Sequence, residues 1–175
     1  VGNNPGWGGL WYVTGWENLV SWAPDFSGVV PNIAESWEIS DDVRTYTFHL
    51  REGMRWSDGE PFTAEDIMFY IDDILFNEEL SVGGPSADWL PREGASEFQA
   101  EMIDDYTVEF TFANPYGTFL FNLAQWNGRH LTWFPKHYLM QFHADYNENV
   151  DEIVAATDGV EDWVGLFNLK ASGPV

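Results

Sequence analysis

Between Thr45 and Leu50 every second residue is apolar: Tyr46, Phe48 and Leu50 alternate with Thr45, Thr47 and His49. That two-residue period predicts a half-buried strand, and Ser40-Asp41-Asp42 supplies the turn that folds it back on Glu35 to Ile39 as an antiparallel hairpin. A second alternation, Tyr106, Val108, Phe110 and Phe112, follows Asp104-Asp105 and predicts another hairpin over Met102 to Phe112. Between the hairpins the period changes. Ile67, Tyr70, Ile71, Ile74 and Leu75 recur at i, i+3, i+4, i+7 and i+8, the stripe of an amphipathic helix, with Glu65, Asp66, Asp72 and Asp73 mostly opposite. Thr63 is placed to cap this helix, Asp66 to close a capping box at N3, and Phe62 with Ile67 to form a hydrophobic staple.

The rest of the chain is less regular. Leu10 to Trp22 carries apolar residues at mixed spacing, which we read as a short helix over Leu10 to Asn18 followed by an extended segment. Residues 78–100 hold Gly83, Gly84, Pro85, Pro91 and Gly94 with little periodicity, a long loop of the kind that often carries function. Asn114 and Pro115 form an N-cap and N1 pair for a helix through Ala124, with Tyr116, Phe119, Leu120 and Leu123 on its buried face. Leu131 to Phe134 reads as extended, Pro135 starts a short helix, and one or two helices follow between Val150 and Phe167. No internal repeat is visible.

Hairpins interleaved with helices predict one α+β domain over residues 1–175, with antiparallel strands packed by helices. The 45% hydrophobic content is enough to bury a core. No apolar run approaches the roughly 18 residues of a membrane span, and the absence of Cys removes disulfides and thiolate metal sites. Seven Lys plus Arg against 29 Asp plus Glu give a net charge of −22, which repels nucleic acid. The acids are spread along the chain, so a solvated surface accounts for them better than a site for cations.

Catalytic and metal chemistry find little support. Asp41/Asp42, Asp72/Asp73 and Asp104/Asp105 are adjacent pairs at turns or on a helix face, whereas acid-base catalysis needs carboxyls converging on one pocket. His49, His130, His137 and His143 lack the spacing of zinc ligands. Asp145-x-Asn147-x-Asn149 begins like a calcium loop, but Val150 stands where the turn glycine belongs and Ala156 where the bidentate Glu belongs, so it reads as a loop and helix cap. No catalytic residue, metal ligand or cofactor is assigned.

The segment from Pro31 to Asn77 carries a resemblance. Pro31-x-x-Ala34-Glu35-Ser36-Trp37, then Tyr46-Thr47-Phe48-His49-Leu50-Arg51, then Trp56-Ser57-Asp58-Gly59-Glu60-Pro61-Phe62-Thr63-Ala64-Glu65-Asp66 resembles the family 5 extracellular solute-binding proteins. The resemblance extends over most of residues 28–135. It implies the binding subunit of an ABC importer, which takes an oligopeptide, an oligosaccharide or a nickel chelate to transmembrane permease subunits. It also implies a periplasmic or extracellular location, with a lipid anchor among the options. On this reading the chain is part of lobe I of a two-lobed protein, lacking the start of the mature protein and lobe II. Such a fragment is expected to bind ligand weakly and to self-associate through an uncovered apolar edge. In relatives a Gly usually follows the two turn Asp residues; Val43 stands there instead, so a left-handed backbone at that point would be strained.

Ten Trp residues suit stacking on sugar rings or ligand side chains, although Trp37 and Trp56, inside the shared motif, read as packing. Trp89 and Trp126 sit in connections that, in similar proteins, approach the cleft between lobes. We therefore expect both on one concave, solvent-facing surface, with Asn127 or Arg129 giving polar contacts and Trp16 and Tyr12 as further candidates. The different class of protein compatible with these aromatics and acids is a secreted carbohydrate-active enzyme or a carbohydrate-binding module. A carboxylate pair in a cleft would favour the enzyme, and an all-β sandwich with a Trp platform would favour the module.

Overall fold

The computed structural model describes residues 17–172 apart from Asp88, Ala95 and Ser96, and the side chain of Asn127 is also outside the description. The expected helix over Leu10 to Asn18 therefore falls almost wholly outside the described residues, as do Tyr12 and Trp16. Two antiparallel sheets form the frame. A small one pairs β1 (Val20–Trp22) with β2 (Val29–Pro31), and a larger one has the order β3-β4-β6-β5, from β3 (Ala34–Ile39), β4 (Thr45–Leu50), β5 (Gln99–Asp104) and β6 (Thr107–Thr111). Both anticipated hairpins are present, joined at the centre by the β4-β6 pair, in which Phe48 faces Val108 and Tyr46 faces Phe110.

The pleat explains the core. Tyr46, Phe48, Leu50, Val108 and Phe110 share one face and are buried, whereas Thr45, Thr47, His49 and Glu109 on the other are only partly covered. Phe112, Phe119 and Phe98 close over the buried face as stacked, tilted or edge-to-face aromatic pairs with centroids 4.7 to 5.7 Å apart.

The turn between β3 and β4 takes the strained form. Val43 lies at φ 56, in the left-handed region that a β-branched side chain disfavours. What holds it is local and tertiary bonding together. Its N–H donates to the Ser40 carbonyl at 2.8 Å, its own carbonyl accepts from Tyr116 N at 2.8 Å, and its side chain packs on the core. Asp42 braces the same turn by accepting from Ser40 Oγ at 2.6 Å and Arg44 Nε at 2.7 Å.

Helix α1 (Ala64–Met68) begins at Thr63 with the capping box intact: the Thr63 hydroxyl accepts from Glu65 N at 3.3 Å, and Thr63 N donates to the Asp66 carboxylate at 3.1 Å. Ile67, Tyr70 and Ile71 are buried and Ile74 is half-buried. Two details depart from the simple helical stripe. After Met68 the chain widens into a π-helix, Phe69–Leu75, and Phe69 is then buried with Leu139 and Phe167 in a second, smaller cluster. Asp66, expected on the wet side, is buried.

Helix α2 (Phe119–Leu123) starts later than Asn114 and Pro115 suggest. The Tyr116 N–H bonds to Val43 and its carbonyl accepts from the Tyr46 hydroxyl at 2.8 Å and from Phe119 N at 3.1 Å, so residues 116–119 form a turn ahead of the helix. Of Leu131 to Phe134, expected to be extended before Pro135, Leu131 and Thr132 instead end a 3-10 helix, Trp126–Thr132. Beyond it come α3 (Lys136–Leu139), α4 (Val150–Ala155) and α5 (Trp163–Ala171), the last capped by Asp162 on Gly165 N at 2.7 Å. Helices packed on a mixed set of hairpins depart from the all-β sandwich of a carbohydrate-binding module. Among the described residues no helix is long and apolar enough to cross a membrane.

Candidate functional site

The segment from Gln125 to Phe134 brings together Trp126, Arg129, His130, Trp133 and Phe134. It leaves α2 through a very tight approach: a Cβ at Gly128 would overlap the Leu123 carbonyl, so only glycine fits. Two side-chain bonds fix it to the chain ahead of β1. Asn18 Nδ2 donates to the Gln125 carbonyl at 2.9 Å, and Thr132 Oγ1 donates to the Glu17 carbonyl at 2.6 Å.

Arg129 is the centre of the segment. Its guanidinium lies 3.4 Å from the centroid of Trp126 and 4.9 Å from that of Trp133, and Nη1 donates to the Trp126 carbonyl at 2.5 Å. It is only 8% exposed, whereas Trp126 is 38% exposed. His130 stacks on Trp133 with centroids 5.9 Å apart, and Phe134 stacks on Tyr70 at 5.2 Å with the rings almost parallel. Burial pushes the Tyr70 hydroxyl up to about 12. Tyr70 therefore remains a neutral ring under the segment.

The anticipated residues divide. Trp126 lies at the surface and Arg129 is stacked on it, so these two come together. Trp89 does not join them. Its indole is 0% exposed and packs edge-on against Phe98 at 5.4 Å and Phe110 at 6.5 Å, with Phe119 tilted at 6.1 Å. The expectation that it faces solvent is corrected by this placement: the Gly/Pro-rich loop folds its bulky Trp89-Leu90 pair back over the open face of the sheet, where three Phe rings form a socket. Trp133 and His130 were not singled out beforehand. Their spacing from Arg129, at i+4 and i+1, is a signal only if the segment coils, whereas Leu131 to Phe134 is expected to be extended.

Other expectations fare as follows. Trp37 and Trp56 are partly buried and packed against the core. Asp41, Asp42, Asp72, Asp104 and Asp105 are exposed, at turns or on the helix surface. In the 145–149 loop, Asn147 accepts from Asn149 N at 3.0 Å and donates to the Gln141 carbonyl at 2.6 Å, which is loop bonding.

Solved structures of similar shape define the class. The chain superposes on an oligopeptide-binding protein OppA with a TM-score of 0.74 and 38% identity, covering 87% of this chain and 23% of that one. It also superposes on the periplasmic binding protein MelB of Agrobacterium fabrum C58, solved with stachyose, with a TM-score of 0.63 and 30% identity over 91% of this chain and 22% of that one. The fold is that of a periplasmic binding protein, in part. Residues 28–160 match the family model described as bacterial extracellular solute-binding proteins, family 5 Middle, and the chain belongs to that family. Among curated relatives, the periplasmic alpha-galactoside-binding protein of Rhizobium meliloti (strain 1021) is 38% identical over 68% of this chain. The dipeptide-binding protein of Escherichia coli (strain K12) is 35% identical over 62%. The chain spans only 19% and 22% of the length of these two proteins. These relatives are binding proteins rather than enzymes.

Proposed function

We propose that this chain is part of lobe I of the solute-binding subunit of an ABC importer, acting outside the cytoplasm. It offers Trp126, backed by Arg129, as lobe I's contribution to the ligand site. The observation that carries this reading is the partly exposed Trp126 held on a buried guanidinium in a segment tied down at both ends, because a fixed aromatic face gives stacking affinity at little ordering cost. Asn127, Trp16 and Tyr12 remain candidates for further contacts. The ligand we favour is an oligosaccharide. An indole face suits a pyranose ring, and the alpha-galactoside and stachyose proteins are among the similar ones. A short peptide is the second reading, favoured by the dipeptide-binding relative.

The protein binds and releases without chemistry and delivers its solute to permease subunits. A single lobe forfeits half the contacts and the exclusion of water that closure provides, so the 175-residue chain alone binds weakly. It also self-associates: Phe26, 77% exposed, and Phe121, stacked on Trp22 at 5.5 Å, offer an aromatic surface. Calorimetry on the intact binding protein with stachyose and with dialanine tests the ligand class. Binding of neither, or equal binding by the isolated 175-residue chain, contradicts the proposal.

A further inference from the structure

Asp66 is the one buried carboxylate among the described residues, 5% exposed. A capping box needs a single oxygen from it, and Oδ2 meets that need by accepting from Thr63 N at 3.1 Å. Its other oxygen does something else. Oδ1 accepts from Lys136 N at 2.9 Å, 70 residues away, at the first residue of α3, where the backbone N–H has no partner within the helix. No cation takes this role: Lys136 Nζ sits 3.4 Å from Glu65, and His137 Nε2 sits 2.7 Å from Asp58. Burying a carboxylate is costly unless it is hydrogen-bonded, and burial does raise the Asp66 pKa, against the lowering effect of the Thr63 and Lys136 N–H groups. An exposed Glu at the same place would cap α1 without that cost, so capping alone does not account for a buried Asp.

The tie falls at a particular point. Lys136 follows Pro135 directly, and Pro135 ends the aromatic segment that carries Trp126, Arg129 and Trp133. Within the segment, Gly128 packs against Leu123, and the Asn18 and Thr132 bonds fix positions 125 and 132 to the chain ahead of β1. Downstream it is fixed by Asp66 on Lys136 N and by Asp58 on His137. Both acids belong to the Trp56 to Asp66 block that marks the family in sequence, yet both reach the far end of the candidate ligand segment.

We propose that Asp66 is a positioning residue for the ligand-facing segment: through the Lys136 N–H it sets where Gln125 to Phe134 ends and so holds the Trp126 face in register. This rests on the assignment of Trp126 to the ligand site. Asp58 on His137 acts as the weaker, exposed second tie.

Lys136→Pro isolates the bond. It deletes the N–H that Asp66 receives together with the Nζ contact with Glu65, Pro is tolerated at the first helical position, and Pro135 already has the extended ψ of 108 that suits a following proline. Lys136→Ala keeps the N–H and removes the Nζ contact with Glu65, so it is the control. In the intact binding protein we expect Lys136→Pro to speed amide hydrogen exchange across residues 128–134 about tenfold relative to Lys136→Ala, the equivalent of one lost hydrogen bond to a charged acceptor. Affinity for stachyose or dialanine, whichever the unaltered protein binds, should fall by a similar factor. Equal exchange in the two variants overturns the proposal. So does faster exchange with unchanged affinity, provided Trp126→Ala does weaken binding, and the Trp126 assignment then stands. If Trp126→Ala leaves affinity unchanged, the assignment itself fails and Asp66 positions nothing of consequence for ligand. Should Lys136→Pro not fold, Asp66→Asn, which leaves one of the two N–H groups without its acceptor, is compared in the same way, with the same results for and against.

Discussion

Trp89 and Trp126 are alike in sequence setting and opposite in fate. Each lies in a connection, outside any amphipathic stripe, and each is adjacent to small or polar residues. Yet Trp89 fills a socket of Phe98, Phe110 and Phe119, while Trp126 stays 38% exposed on top of Arg129. The difference lies in what each connection covers. The loop around Trp89 crosses the apolar face of the four-stranded sheet, which would otherwise be wet, and the hydrophobic effect takes its largest side chain inward. The segment around Trp126 coils beyond the end of α2, packed against helical elements, and there a guanidinium fills the space beneath the ring. A tryptophan in a loop is thus a binding candidate only when the surface under it is already closed.

The largest effect that separates the two is on stability. Trp89→Ala should destabilise the fold by about 3 to 5 kcal/mol, as the loss of a large buried aromatic with a cavity left behind. Denaturant unfolding checks this, and a loss under about 1 kcal/mol would mean the loop can collapse into the gap and the socket contributes little.

A smaller effect concerns the turn that the sequence marks as strained. Val43→Gly should raise stability by about 0.5 to 1 kcal/mol, because relief of the left-handed strain exceeds the lost packing and the added freedom of the unfolded chain. A lowered midpoint would show that the half-buried Val43 side chain contributes more than the strain costs.

Smaller still is a pH effect at the same turn. Hydrogen bonds from Ser40 and Arg44 hold the Asp42 pKa at about 2, below its ordinary 3.8. The folded pKa is depressed, so the contribution is present above pH 3.8 and is lost as pH falls through about 2. Titration of the Asp42 carboxyl carbon by NMR should show its midpoint below that of a free Asp. A normal midpoint would mean that the Ser40 and Arg44 bonds are not kept in solution.

What the sequence made legible was local. The capping box at Thr63 and Asp66 and the alternation through Tyr46 to Leu50 depend on bonds and periods spanning a few residues, and they appear as read. The Val43 strain was legible too, because it follows from one residue type in one turn. The rest depended on partners far along the chain. The turn at Tyr116, ahead of the helix, is bonded to the β3-β4 turn and to Tyr46. Asp66 is buried because Lys136, 70 residues away, meets it. Trp89 is buried because three Phe residues from three other places converge. Of the candidate site, Trp126 and Arg129 were legible by position. Trp133 and His130 were not, because their convergence requires the 3-10 coil that Gly128 and its contact with Leu123 permit.

The central claim is that Trp126, on its Arg129 support, faces the ligand. The most direct measurement is calorimetric affinity of the intact binding protein for stachyose and dialanine with Trp126→Ala, taken beside its thermal unfolding. We expect affinity to weaken by roughly 1 to 3 kcal/mol, as for loss of a stacking aromatic, with the unfolding midpoint nearly unchanged. Unchanged affinity, or a loss of binding that only follows unfolding of the protein, would place Trp126 with Trp89 as a packing residue and contradict the account.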